Sequence, residues 1–105
     1  MLNLSSGKVV RIIFLAREYG PESGHLRDYI SGLNDDEKAN LVALMWVGRD
    51  SFDAEEFEEA KETARAEATA PTEDYLSGIP ELPDYLESGL EAMGIDVTDV
   101  EDNLR

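Results

Sequence analysis

Residues 33–49 read LNDDEKANLVALMWVGR and hold the longest unbroken apolar run of the chain, Leu41 to Val47, together with its one tryptophan, Trp46. The stretch opens like a helix. Asn34 with Glu37 three residues on fits a capping box, and Leu33 stands just outside it. Asp35, Asp36 and Glu37 fall in the first turn, where the helix dipole favours negative charge. Leu41, Leu44, Met45 and Gly48 mark one face, while Val42, Ala43, Trp46 and Val47 make the opposite side apolar too. A helix apolar all round over two turns is surrounded by protein. This segment is therefore the expected centre of the fold, with Gly48 as its left-handed C-terminal residue and Arg49 meeting the last carbonyls.

Outward from there the periodicity stays helical. Before the centre, Val9, Ile12, Ile13 and Ala16 fall at helical spacing, with Val10, Phe14 and Leu15 widening the stripe. Ser5 or Ser6 can cap this first helix, and Gly20-Pro21 stops it. The β-branched VVRIIF run is the one segment with strand character, and a lone strand would leave its backbone unpaired. PESGH at 21–25 reads as a loop, and a short helix follows from Leu26 to Leu33. After the centre, Asp53 with Glu56 marks another helix start. Phe52 and Phe57 are placed for a hydrophobic staple. A seam of Ala60, Ala64 and Ala68 follows, and Glu55, Glu58, Glu59, Lys61, Glu62 and Arg65 form the solvated side. Pro71 suits the first turn of a short helix ending at Gly78. Pro80 and Pro83 bar immediate continuation. A last helix is expected from Asp84 to Met93, closed by Gly94. The expected fold is all-α: a small bundle of five to six short helices in one domain, 1–94, about a central helix at 34–47. Residues 95–105 form an acidic, flexible tail.

The chain of 105 residues carries 24 acids against nine bases, a net charge of −15. The charge is uneven: residues 1–20 net +2, whereas residues 71–105 net −9. Such a field repels phosphate backbones and anionic lipid and favours a basic protein partner. With no cysteine, disulfides and thiolate metal sites are excluded. No apolar run approaches the length of a membrane span, and Arg11 interrupts the only stretch resembling a signal peptide. The expected setting is cytoplasmic.

No catalytic, cofactor-binding or metal-ligating set can be singled out. His25 is the one histidine and lacks partner ligands at zinc spacing. The acidic run from Glu55 to Glu62, and Asp96, Asp99 and Asp102, lack the geometry of a calcium loop. Asp-Tyr-Ile/Leu followed by Ser-Gly recurs at Asp28, Asp74 and, with one insertion, Asp84. It reads as three short helices, each burying an aromatic-aliphatic pair. The pattern most open to recognition is Trp46 with Arg49, one turn apart, joined by Tyr75 and Tyr85 in a candidate interaction groove. The leading expectation is a non-enzymatic interaction or adaptor domain, with an unknown, basic protein partner or a second copy as homodimer. One alternative is a small-ligand or acid–base enzyme site built from Arg17 or Arg49 with the tyrosines. Another is an acidic mimic of nucleic acid.

Two segments carry a family resemblance: LNDDE with LVALMWVGR at 33–49, and PTEDYLSGIPELPDYLESGL at 71–90. With Ala16-Arg17-Glu18-Tyr19 ending the first helix, they resemble a small bacterial family, domain-of-unknown-function family 3775, over most of residues 1–95. The resemblance implies a helical fold, with a longer acidic insertion in relatives where this chain has PESGH. It implies no activity, cofactor or catalytic residue.

Overall fold

The computed structural model describes residues 4–67 and 71–95. Among them, six α-helices form in chain order: α1 (Ser6–Tyr19), α2 (Gly24–Ser31), α3 (Asp35–Gly48), α4 (Phe57–Ala66), α5 (Thr72–Ser77) and α6 (Leu82–Ala92). A 3-10 turn, Ala54–Glu56, precedes α4. Helix α3 is the hub. It packs against α6, α4 and α5, while α1 packs on α6 and α2, and α2 on α5. Every residue from Ala39 to Met45 is buried, and Val47 as well. Protein thus surrounds the run on all sides except at Trp46, which is half-buried. The capping box forms as the sequence implies. The Asn34 side chain accepts from Glu37 N at 2.7 Å, and Asn34 N donates to the Glu37 carboxylate at 3.0 Å.

The closest approach is between α3 and α6, and two glycines make it. A Cβ on Gly48 would fall 1.7 Å from the Tyr85 carbonyl oxygen. One on Gly89 would fall 2.4 Å from the Leu44 carbonyl oxygen. Gly48 therefore serves the helix crossing and lies within α3, not at its left-handed end. That place is taken by Asp50, with φ of 67°. The motif Ser-Gly at 88–89 likewise differs from its two counterparts: Gly32 and Gly78 cap α2 and α5, whereas Gly89 is interior and buried.

Several boundaries and faces depart from expectation. Helix α2 begins inside PESGH, because the Ser23 side chain accepts from Leu26 N at 3.2 Å and caps it. Helix α6 begins before Pro83, which sits in the first turn, where its missing N–H costs nothing. Phe14 does not join the apolar stripe of α1; it is 53% exposed. Lys61 is not on a solvated face: it is 7% exposed, lying one turn after the buried Phe57. Its stem is covered, and its ammonium reaches Glu58 at 3.3 Å. Gly94, with φ of 81°, ends α6 as expected, and Ile95 packs against the core. Ile95 thus belongs to the packed unit and not to the expected tail, while Ala68 and the rest of that tail, residues 96–105, lie outside the described residues.

The few cations tie helices together. Lys8 on α1 meets Glu37 on α3 at 2.5 Å. Arg17 on α1 donates to Glu87 at 2.8 Å and Asp84 at 3.0 Å, both on α6. Arg27 on α2 binds Asp74 and Ser77 of α5, and Arg65 on α4 binds Asp36 of α3. Burial by itself would lower the pKa of Arg17, but hydrogen bonds to Glu87 and Asp84 outweigh it and raise the value.

The Lys8–Glu37 tie predicts a pH signature. The hydrogen bond from Lys8, with that from Asn34 N, holds the Glu37 carboxyl below its ordinary pKa, and the same bond raises Lys8. A carboxyl with a lowered folded pKa stabilises above its unfolded pKa, and that contribution is lost as pH falls through the folded value. Glu37→Gln keeps the capping geometry and removes the ion pair. Urea unfolding should show the variant less stable than wild type at pH 7, with the gap closing as pH falls below the ordinary carboxylate range. A pH-independent gap would rule the pair out as its source.

Candidate functional site

The end of α3 and the start of α5 bring three aromatic rings together. Trp46 lies in the last turn of α3 and is half-buried. Its indole Nε1 donates to the Tyr75 hydroxyl oxygen at 3.0 Å. The Phe52 ring stacks on it, with centroids 5.7 Å apart and an interplanar angle of 25°. Tyr75 is 40% exposed, so the group forms a surface.

The local chain explains how Phe52 arrives there. Ser51 N donates to the Trp46 carbonyl at 2.9 Å and Asp50 N to the Val47 carbonyl at 3.0 Å. This is the Schellman pattern, with Asp50 in the left-handed place usually held by glycine. Aspartate tolerates that conformation better than most residues, because its short polar side chain can bond locally. The turn reverses the chain just past α3 and delivers Phe52 back onto Trp46. Sequence reasoning assigned Phe52 to a staple with Phe57 and missed its place beside the tryptophan. The readable signal was Asp50, a residue that can end a helix without glycine.

The other two groove residues sit differently. Arg49 is exposed beside this turn, and its Nε donates to the Ser51 hydroxyl at 3.1 Å. It makes no ion pair with a carboxylate among the described residues, although the chain holds 24. Tyr85 is half-buried on α6, where its carbonyl lies against Gly48. The structure thus joins Trp46 directly to Tyr75 and adds Phe52, with Arg49 at the edge.

The surroundings are acidic. Asp50 and Asp53 flank Phe52 and both are exposed, whereas Asp74, which precedes Tyr75, is already paired with Arg27. Most cations that could offset them are held in the ties between helices. Two open clefts, of about 400 and 240 Å³, are lined by other residues. The larger lies between the start of α3, the end of α4 and Thr72. The smaller lies between the Gly20-Pro21 corner and Ser77 with Pro80. His25, exposed at the start of α2, sets its ring against Tyr19, with centroids 4.3 Å apart and planes tilted by 34°. Among the described residues, no three histidine or acidic side chains are grouped to hold a metal ion, and no helix is long and apolar enough to cross a membrane.

A family model described as Protein of unknown function (DUF3775) matches residues 23–95, most of the chain but not α1. No curated protein and no solved structure matches.

Proposed function

The chain belongs to the family described as Protein of unknown function (DUF3775), and on that premise we propose that it is a small, non-enzymatic docking domain. It holds a basic, amphipathic segment of a partner protein on the Trp46–Phe52–Tyr75 surface. The observation that carries this reading is the three-ring cluster, part-exposed, with the exposed Asp50 and Asp53 on either side of Phe52 in the chain. Aromatic side chains with an apolar body and a polar tip are the groups that anchor interfaces. The rings supply apolar contact. Asp50, Asp53 and the chain's net charge of −15 attract lysine and arginine and speed encounter. Arg49 is a point of opposite sign at the edge, and a partner with one acid placed there gains register.

Trp46 is the chain's one tryptophan, so its fluorescence reports occupancy. Titration with a basic amphipathic helical peptide should shift its emission. A scrambled peptide of equal charge should do so far less, because charge alone does not seat on the rings. Tyr75→Ala should weaken the binding at least about tenfold in calorimetry, in the range of interface hot spots. Equal response to the scrambled peptide would reduce the effect to charge and sink the reading.

A second reading, mimicry of a nucleic-acid backbone, gains one observation. Lys61 pairs with Glu58 and Arg65 turns to Asp36, so the outer side of the α4 region leaves Glu55, Glu59 and Glu62 exposed with little cationic relief. Salt-sensitive binding to DNA-binding proteins, lost on changing these three to glutamine, is its test.

A further inference from the structure

We propose that the outer face of α1 is a contact surface for a second copy of this chain, centred on Phe14 and flanked by Arg11 and Glu18. Phe14 is the most exposed large apolar side chain among the described residues, at 53%. It stands in the middle of α1, on the side away from α2 and α6. Arg11 precedes it by three residues and Glu18 follows by four, so the three share one helical stripe. Both charged residues are exposed, and neither has an ion-pair or hydrogen-bond partner among the described side chains. In a chain where Lys8, Arg17, Arg27, Lys38, Lys61 and Arg65 all lie against acids, an unpaired Arg11 is an exception.

The stripe is complementary to itself. In an antiparallel pair about a two-fold axis at Phe14, the two rings meet at the axis. At a rise of about 1.5 Å per residue, Arg11 lies roughly 4.5 Å along the helix from the axis and Glu18 roughly 6 Å on the other side. Arg11 of each copy therefore comes opposite Glu18 of the other, within reach of a flexible guanidinium. The symmetry makes the pair twice, as an isologous contact requires.

Charge selects this face over the others. Two copies of net charge −15 repel wherever acidic surfaces approach. On α1, Lys8 and Arg17 are taken up by acids of α3 and α6, and Arg11 balances Glu18, so this outer stripe is neutral and that repulsion is low there. The contact is small. A helix of 14 residues is about 21 Å long, and one face of it buries well under the roughly 800 Å² per partner of a stable complex. The pairing is accordingly weak and reversible, and it is independent of the Trp46 surface, which other helices carry.

The test is sedimentation equilibrium up to millimolar chain in about 0.15 M salt, where screening over roughly 8 Å leaves short-range contacts to decide. Wild type should show a monomer–dimer equilibrium. Phe14→Glu should abolish it, and with Phe14 already exposed the fold is kept, as helical circular dichroism can verify. Arg11→Glu alone should weaken it about tenfold or more, since one change alters both symmetric pairs. Adding Glu18→Arg to Arg11→Glu should restore it. Because the chain has no cysteine, Phe14→Cys should also oxidise to a disulfide dimer much faster than Glu62→Cys on α4. A wild type that stays monomeric overturns the proposal, as does a dimer indifferent to Phe14→Glu or equal oxidation of the two cysteine variants.

Discussion

Gly48→Ala should unfold or nearly unfold the domain. On an isolated helix the change would stabilise by about 1 kcal/mol, because alanine is the better helix former. Here the added Cβ falls 1.7 Å from the Tyr85 carbonyl oxygen and 2.8 Å from Gly89 N, both backbone atoms of α6. No side-chain rotation relieves that. The α3–α6 pair must separate, and α6 buries Leu82, Leu86 and Leu90 at this contact layer of the core. Overpacking costs about 1–3 kcal/mol, occasionally more, and a backbone clash of this size belongs at or beyond the upper end. Gly89→Ala should follow the same direction with a smaller effect, since its nearest atom is 2.4 Å away. Leu44 side-chain atoms also lie at 3.0 and 3.1 Å from that Cβ, so Leu44→Ala tests the cause. It leaves the Leu44 carbonyl in place and should not rescue Gly89→Ala. Denaturant midpoints of the two singles and the double decide this, and rescue would show the barrier to be side-chain packing.

Phe57→Ala should cost about 3–5 kcal/mol, a large share of the roughly 5–15 kcal/mol a domain commands. Phe57 is 2% exposed and is the largest buried side chain of α4. Its companions on the buried side, Ala60 and Ala64, are too small to fill the space it leaves. The Arg65–Asp36 pair also ties α4 to α3. The loss should therefore be uneven. Hydrogen exchange should show α4 amides losing far more protection than those of α3 and α6. Uniform loss across the helices would mean that α4 does not open separately.

The helices were legible because their signals are local. Asn34 with Glu37, the Ser-Gly stops at Gly32 and Gly78, and Gly94 after α6 are each settled within a few residues by hydrogen bonding or by the dihedral freedom of glycine. The same locality misled at Gly48. A glycine at the end of an apolar run reads as a cap, but its reason lies far along the chain at the Tyr85 carbonyl, across a helix crossing that no short-range pattern encodes. Phe14 and Lys61 were misplaced for a related cause. Helical spacing fixes which residues share a stripe, while the angular width of the buried sector depends on which neighbours dock there. At the candidate site, residue type alone groups Trp46 with Tyr75, and a hydrogen bond joins the two in the structure. Phe52 was not seen there, because the turn that delivers it depends on a left-handed aspartate.

The ties between helices bear on lysine chemistry. The chain has three lysines: Lys8 of α1 bound to Glu37 of α3, Lys38 of α3 facing Glu73 of α5 at 3.9 Å, and Lys61 of α4, covered and paired with Glu58 of the same helix. In most small proteins lysines are the disposable, solvent-facing groups that acylating enzymes and amine reagents reach first. Here each ammonium answers a carboxylate. Acetylation of Lys8 or Lys38 would then act as a loosening of the helix joints before it acted as a mark on the surface.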